Sequence, residues 1–347
     1  MGSFTPVRST TDHSRQPGLT SGQLYTSSHR ARLTGSATAQ NLDTNLVDHE
    51  ADVARHYDEL DEFYRELWGT HVHHGLWREP AGAPAESPHR TRRPGIGEPA
   101  PGDAASPAAD SVEAATRRLV DHVAERAALR RGHRVCDVGC GYGATAAVLA
   151  SDYGCEVVGY TVSPVQHARA VAEAVPGCRF VLGDWLENDV GDGTFDAAIA
   201  IESTGHMAHK AGAIAEVARV LRPGGRAVIC AWLAADGVGG WRRRWLLDPI
   251  CREGRLPGLG TEADYRRWLA GAGLDLECFE DLSRRVRATW TIVARRAAAA
   301  ALTRPRYARY LLRSDASERG FALAVARIWL AYRVGAMRYG VFTARRR

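Results

Sequence analysis

The sequence predicts an α/β fold with a mostly parallel sheet that helices cover on both faces. From residue 111 onward, short apolar runs alternate with stretches of helical periodicity, a pattern typical of parallel sheets. The first run, 133–138, leads directly into a glycine-rich turn at 139–143 and then an apolar helix. No stretch reaches the roughly 18 consecutive apolar residues that a membrane-spanning helix needs, so an integral membrane protein is excluded.

Seven apolar runs in this region predict the strands of the sheet. The predicted strands are 133–138, 156–161, 179–183, 195–202, 225–233, 274–280 and 339–344. The predicted helices are 111–130, 143–153, 163–175, 210–221 and 261–272, and the last 60 residues are expected to be mainly helical before the final strand. Ligands of such sheets bind at the carboxyl ends of the strands.

The chain before this region divides into three parts. Residues 1–45 are rich in Ser, Thr, Gly and Arg and are expected to be disordered. Residues 46–78 contain aromatic and apolar residues at helical spacing, then a segment dense in histidine, and are expected to form a helical lid. Residues 79–110 have no apolar period and are interpreted as a flexible insertion, which leaves 111–346 as the main domain.

The charge distribution and the cysteines indicate which partners and which cellular location to expect. The net charge of +5 divides into +14 for residues 284–347 and −9 for the rest. A basic tail can meet nucleic acid, an anionic membrane or a phosphorylated substrate, but a solvated helix face is the plainer interpretation. The seven cysteines form no CxxC pair, which favours reduced thiols and a cytoplasmic location. The acid-poor N-terminus leaves targeting open.

The glycine-rich turn indicates a bound cofactor. Gly139, Gly141 and Gly143 let the backbone approach a ligand closely. A dinucleotide would need an acid about 20 residues further on, and the second strand ends at 159–161 without one. S-adenosylmethionine explains more residues, because Asp137 precedes the glycines and Asp184 follows the third strand. Asp184 would receive the adenine amino group, and the neighbouring Trp185 would cover the purine.

With these motifs the chain resembles the class I S-adenosylmethionine-dependent methyltransferases, over about residues 48–346 apart from the insertion. Three further stretches, 68–75, 160–166 and 202–207, resemble the group of tocopherol and sterol C-methyltransferases, cyclopropane synthases and prenyl diphosphate C-methyltransferases. The resemblance implies a Rossmann-like seven-stranded fold with a helical C-terminal cover. It also implies Thr161, Ser163 and Gln166 as cofactor contacts in place of the missing acid.

Glu202 and His206 are the candidate catalytic residues. Attack of an alkene carbon on the methyl group leaves a carbocation, which needs stabilisation and a base. Glu202 is expected at the carboxyl end of the fourth strand, and the resemblance implies the same base role; the alternative is a helix cap. His206 either orients Glu202, packs, or acts as the base toward a phenol.

Two clusters are candidates for substrate contact. The first is the aromatic and histidine-rich lid: Tyr57, Tyr64, Trp68, His71, His73 and His74. The histidines lack a carboxylate or cysteine at ligand spacing, so no metal site is expected there. The second is Trp241, Arg242 and Trp245, which could hold a diphosphate, although a solvated helix end is the plainer interpretation.

The sequence therefore predicts an S-adenosylmethionine-dependent methyltransferase of a small apolar molecule. C-methylation of an isoprenoid double bond, including that of a prenyl diphosphate, is the first hypothesis, and magnesium is expected only with a diphosphate. O- or N-methylation of a phenolic or polyketide natural product is the alternative, and a non-catalytic S-adenosylmethionine-binding partner protein is the third. No nucleic acid partner is expected, because the histidine and aromatic lid suits an apolar ligand. A homo-oligomer stays open.

Overall fold

A seven-stranded sheet forms the centre of the computed structural model, which describes residues 39–78, 111–303 and 316–347. The strands are β1 (Arg134–Val138), β2 (Glu156–Thr161), β3 (Cys178–Leu182), β4 (Phe195–Ile201), β5 (Leu221–Ala234), β6 (Leu274–Asp281) and β7 (Met337–Arg346). Their order is β3-β2-β1-β4-β5-β7-β6. The first five run parallel, and β7 inserts antiparallel between β5 and β6. The predicted fold class is confirmed, with β5 beginning earlier than expected.

Some of the helices begin at residues whose side chains cap the first turn. The helices are α1 (Ala39–Glu59), α2 (Asp61–Trp68), α3 (Val112–Arg126), α4 (Ala144–Ser151), α5 (Pro164–Ala172), α6 (Lys210–Val220), α7 (Gly240–Arg242), α8 (Asp248–Glu253), α9 (Glu262–Gly271), α10 (Ser283–Val286), α11 (Ala288–Thr303) and α12 (Ala316–Arg333). A π-helical turn, Arg243–Leu247, joins α7 to α8. The Ser111 side chain accepts from the backbone of Ala114 at the start of α3, and Thr261 and Asp264 form a capping box at the start of α9.

The N-terminal boundary differs from the prediction. Helix α1 begins at Ala39, inside the segment 1–45 that was expected to be disordered. The single helix expected over the aromatic period is two helices, which meet at Leu60, and the second ends at Gly69 with a φ of 92°. Residues 1–38 and the whole predicted insertion 79–110 lie outside the described residues.

The arginines of the basic C-terminal region pair with acids elsewhere in the fold. Arg338 binds Asp281 and Glu262, and Arg345 binds Glu277. These pairs sit beside the antiparallel β7, where they offset the positive charge locally. Part of the charge asymmetry therefore belongs to strand packing, and the charge count alone does not mark a nucleic-acid surface. No helix among the described residues is long and apolar enough to cross a membrane.

Candidate active site

One cavity lies at the carboxyl ends of β1, β2 and β4, where ligands of this sheet type bind. It encloses about 1680 Å³ of empty space, part of it open to solvent. Helices α1 and α2 and residues 72–74 form one wall, and α8, α11 and α12 contribute another. Its lining is mostly apolar and aromatic, so the cavity suits a ligand with a large apolar part.

The glycine-rich turn after β1 forms one end of the cavity. Gly139 and Gly141 line it with φ values of 78° and 55°. A Cβ atom on Gly141 would meet no protein atom within 4 Å. Gly143 does not line the cavity; its own Cβ would lie 2.6 Å from the Phe180 ring, so this glycine is needed for packing. Gly141 therefore leaves room for a ligand and Gly143 serves packing, whereas Gly139 lines the cavity and also packs closely, since a Cβ there would collide with the Cβ of Ser203.

The turn after β2 holds its polar residues in a mutual network. Thr161 Oγ1 donates to Gln166 Oε1 at 2.9 Å, and both residues line the cavity. Ser163 is fully buried and does not line it. Its Oγ accepts from the Gln166 backbone at 3.0 Å, as the N-cap of α5, and donates to Asp58 of α1. The structure thus places Ser163 as a cap and a link to the N-terminal helix.

Carboxyl groups gather after β3. Asp184 lines the cavity and accepts from the Leu186 backbone at 3.0 Å. Trp185 also lines it, with its indole N–H held by the Ala213 carbonyl at 3.1 Å. Glu50 of α1 reaches Asp184, and burial together with this carboxylate raises the pKa of Glu50 to about 9. The raised pKa favours the protonated form of Glu50, which can donate a hydrogen bond to Asp184.

Asp137 lies beneath the glycine turn and does not line the cavity. It is buried, and its Oδ2 atom has no hydrogen-bond partner. Burial raises the pKa of this carboxyl to about 7.

Glu202 directly follows β4, and its backbone lies in the left-handed region with a φ of 60°. Both of its carboxylate oxygens accept hydrogen bonds from protein donors. Oε1 accepts from the His74 backbone N–H and the Tyr339 hydroxyl, each at 2.8 Å. Oε2 accepts from His74 Nδ1 at 3.0 Å and Trp232 Nε1 at 2.8 Å. Burial opposes ionisation, but the interaction with His74, including its hydrogen bonds to the carboxylate, prevails and lowers the pKa of Glu202 to about 2.

His206 is paired with a tyrosine of α1. Its Nε2 lies 2.9 Å from the Tyr57 hydroxyl, and both rings line the cavity. Its Nδ1 lies beside the Arg255 backbone without an aligned hydrogen bond. Burial lowers the pKa of His206 to about 3, so the ring is neutral at physiological pH. His206 does not hydrogen-bond to Glu202, which is oriented by His74 instead.

The histidine-rich segment contributes two of its three histidines to the cavity. His74 is fixed at both ring nitrogens, by Glu202 at Nδ1 and by the Trp290 indole N–H at Nε2, 2.6 Å away. His73 is 6% exposed and donates from Nδ1 to the His74 carbonyl at 2.8 Å. His71 does not line the cavity.

Comparison with known proteins decides the family. A family model described as a methyltransferase domain matches residues 112–278. The chain is 30% identical to the chloroplastic tocopherol O-methyltransferase of Arabidopsis thaliana, over 85% of this chain and 81% of that one. The chain belongs to the class I S-adenosylmethionine-dependent methyltransferases. It is also 30% identical to the 27-O-demethylrifamycin SV methyltransferase of Amycolatopsis mediterranei, over 71% and 81% of the two chains. The crystal structure of the [4+2]-cyclase SpnF matches with a TM-score of 0.65 and 27% identity, over 85% and 94%.

The residues at the sheet end of this methyltransferase's cavity fit S-adenosylmethionine. The open space above Gly141 admits a ligand against the backbone, and Asp184 presents a carboxylate to it. Thr161 and Gln166 stand after β2, where the resemblance implies ribose contacts. These four residues would hold the cofactor, which supplies a methyl group on a positively charged sulfur.

Three residues expected at the substrate lie elsewhere in the methyltransferase. Trp241, Arg242 and Trp245 are outside the cavity, and the two tryptophans are 53% and 62% exposed. Each pairs with a neighbouring guanidinium, Arg242 over Trp241 and Arg244 over Trp245. The structure therefore does not support their expected role as a diphosphate grip in this cavity, because consecutive exposed residues at a helix start face solvent.

Of the lid residues, Tyr57, Tyr64 and Trp68 line the cavity, and their contact with a substrate stays a prediction. Sequence reasoning missed several residues of the same cavity: His49, Glu50, Val53, His56, Trp232, Trp290, Val325 and Ile328. Their only common signal was helical or strand periodicity with an apolar face, which is equally typical of plain core.

Proposed function

We propose that this methyltransferase transfers a methyl group to a hydroxyl oxygen of a small, largely apolar molecule. The state of Glu202 carries the proposal. All four hydrogen bonds that its oxygens accept come from protein donors, so no lone pair is left to receive a substrate proton. Such a carboxylate is a poor proton acceptor, so the carbocation route lacks the base that it requires.

The cavity is instead lined by neutral imidazoles, which can accept a hydrogen bond from a substrate hydroxyl. Methyl transfer to oxygen requires close approach and a group that accepts the hydrogen of the hydroxyl. His206 is held neutral beside Tyr57, and burial lowers the pKa of His56 to about 4, beside Tyr64. The Tyr57–His206 pair would orient a substrate hydroxyl by accepting or relaying a hydrogen bond.

Glu202 has a different role in this proposal. It joins the residues after β4 to the histidine-rich segment and to β5 and β7, through His74, Trp232 and Tyr339. This closes the cavity wall against water, which methyl transfer requires. The names of two relatives, a tocopherol O-methyltransferase and a 27-O-demethylrifamycin SV methyltransferase, agree with methylation of oxygen.

C-methylation of an isoprenoid is the second candidate, favoured by one observation. The aromatic rings of Tyr57, Tyr64, Trp68 and Trp290 line the cavity, and aromatic faces stabilise a carbocation. The ionised Glu202 would add electrostatic stabilisation without acting as base. Magnesium would take part only if the acceptor carries a diphosphate. In either case the free cysteines agree with a reducing, cytoplasmic location.

The two candidates are separated by the position of the transferred methyl group. Purified protein is incubated with methyl-labelled S-adenosylmethionine and a panel of prenylated quinols, phenols, polyketide alcohols, sterols and prenyl diphosphates, and fragmentation mass spectrometry locates the label. An oxygen-bound label on a phenol or alcohol is expected. A carbon-bound label on an isoprenoid would overturn the proposal in favour of the second candidate. The variant Gly141→Ala, in which a Cβ occupies the cofactor space, is the background control.

A further inference from the structure

The His73 imidazole has one nitrogen that no protein group satisfies. Its ring is 6% exposed, lines the cavity, and places Nε2 without a hydrogen-bond partner. Nδ1 lies 2.8 Å from the His74 carbonyl, which can only accept. Nδ1 must therefore carry the ring proton, and Nε2 presents a lone pair. Buried polar atoms without partners are uncommon and call for an explanation.

The Nε2 atoms of the other cavity histidines are committed to protein groups, although Nδ1 of His206 lies beside the Arg255 backbone without an aligned hydrogen bond. His74 is fixed at both nitrogens by Glu202 and Trp290. The Nε2 atoms of His56 and His206 meet the Tyr64 and Tyr57 hydroxyls at 3.0 Å and 2.9 Å. Nε2 of His49 meets the His206 carbonyl at 2.8 Å. Among the histidines that the structure places in this cavity, His73 alone directs an Nε2 lone pair that no protein hydrogen fills.

The backbone around His73 is rigid. The next residue, His74, is bound to Glu202 through its backbone N–H and its ring. Gly75 then donates its backbone N–H to Thr289 Oγ1 at 3.0 Å. A Cβ on Gly75 would lie 2.6 Å from the Cβ of Ala115, so this segment fits closely against α3. His73 is therefore held in one orientation, as a group that acts on a substrate must be.

We propose that His73 Nε2 accepts the proton of the substrate hydroxyl during methyl transfer, a role that rests on the proposed O-methylation. The hydroxyl oxygen forms its bond to the methyl carbon while the carbon–sulfur bond breaks and its electron pair stays on sulfur. The O–H bond breaks in the same event, and its proton forms a bond to Nε2. The resulting imidazolium returns the proton to water when the product leaves. Its positive charge is offset by the carboxylate of Glu202 nearby, which favours the charged ring.

Burial supports the resting state that this role needs. It lowers the pKa of His73, with the neighbouring Glu202 and the His74 carbonyl acting in the opposite direction. The ring is therefore neutral before the hydroxyl arrives.

The test uses two substitutions that differ in which ring nitrogen they imitate. Asparagine can keep the donor to the His74 carbonyl but has nothing at the Nε2 position, whereas glutamine places a polar atom nearer to it. Transfer is measured in single turnovers to two phenols. One has an ordinary pKa of about 10, and the other carries electron-withdrawing groups that ionise it at the assay pH. His133→Asn is the matched control, because His133 also has a buried unpartnered ring nitrogen but lies outside the cavity.

For the ordinary phenol, His73→Asn is expected to lower the rate by about 100-fold or more, the usual contribution of a general base. For the ionised phenol the loss should shrink to less than about fivefold, since no proton remains to be removed. Equal losses on both phenols would reveal a merely structural role and overturn the proposal. A wild-type protein that methylates no oxygen would instead remove the proposed function and this role together.

A measurement without turnover checks the tautomer. Nitrogen-15 NMR of histidine-labelled wild type, with His73→Asn used for assignment, should show a protonated Nδ1 and an unprotonated Nε2 at residue 73. A proton on Nε2 would contradict the role. Folding of each variant is verified by its melting temperature, and His73→Gln serves as the second variant if His73→Asn is unstable.

Discussion

His74 and Glu202 are joined twice, through the backbone N–H at 2.8 Å and through ring atom Nδ1 at 3.0 Å. They are 128 residues apart in the chain. The double contact fixes the histidine-rich segment to the end of β4, and the Trp290 indole holds the far side of the same ring. A carboxylate with this many donors acts as an anchor for one wall of the cavity.

Glu202→Gln should therefore destabilise the protein. The new amide N–H₂ would replace one carboxylate oxygen and would face that oxygen's donors. These are Trp232 and the His74 ring at one position, or Tyr339 and the His74 backbone N–H at the other. At either position at least one buried donor would be left unpaired. The free energy of unfolding should fall by about 2–4 kcal/mol. Chemical denaturation followed by tryptophan fluorescence measures it, with Glu173→Gln, an exposed site after α5, as the control. A variant as stable as wild type but devoid of turnover would restore Glu202 as the catalytic base.

Two glycines of the turn after β1 should respond differently to alanine. Gly141→Ala introduces a Cβ into open cavity space at a positive φ, so it should cost about 1 kcal/mol of stability but weaken S-adenosylmethionine binding at least tenfold. Gly143→Ala drives a Cβ against the Phe180 ring and should cost about 2–4 kcal/mol. Isothermal titration calorimetry and thermal unfolding separate the two effects. Equal effects of both substitutions on binding would mean that the cofactor does not approach Gly141.

The sheet could be predicted because each strand is a short apolar run with a local boundary. Strand β2 matches the predicted range, Glu156–Thr161, and Ser163 with Pro164 marks the start of α5. The same Ser163 was expected at the cofactor, and the sequence could not distinguish the two roles. Both interpretations use the same hydroxyl, and only its contacts with Asp58 and Gln166 decide between them.

The sequence could predict the position of a site residue only where that position depends on the end of a single strand. Glu202 was placed correctly beside the cavity, but its donors Trp232 and Tyr339 lie 30 and 137 residues away, on two other strands. Such partners depend on strand order, and the antiparallel insertion of β7 beside β5 leaves no local signal. Trp241 and Arg242 illustrate the opposite error, because a pattern of cations and aromatics does not reveal which way a helix faces.

Asp137→Asn should change the pH dependence of stability. The folded-state pKa of Asp137 is raised to about 7 by burial, from an ordinary value of 3.8. Its stabilising contribution is therefore fully present below about pH 3.8 and is lost as the pH rises through about 7. The stability of the wild type relative to the variant should fall between about pH 4 and 7 and level off above that, with a slope of at most about 1.4 kcal/mol per pH unit. Denaturation at several pH values, without cofactor, measures the difference. A constant difference would show that Asp137 is already ionised, with its Oδ2 bound to water.

His206→Gln should reduce the loss of stability at acidic pH. The pKa of His206 is shifted in the direction opposite to that of Asp137, so its effect on stability against pH has the opposite sign. Burial lowers the folded-state pKa of His206 to about 3, whereas the unfolded ring takes up a proton near pH 6.5. The unfolded chain therefore binds more protons between these values, and wild-type stability falls as the pH drops below about 6.5. Removing the ring should remove up to about 1.4 kcal/mol of this loss per pH unit. His56→Gln should do the same over the narrower window down to about pH 4, since burial lowers its pKa less. If neither substitution alters the acid slope, the two rings are charged in the folded protein, and the neutral imidazoles on which the proposed O-methylation depends are not there.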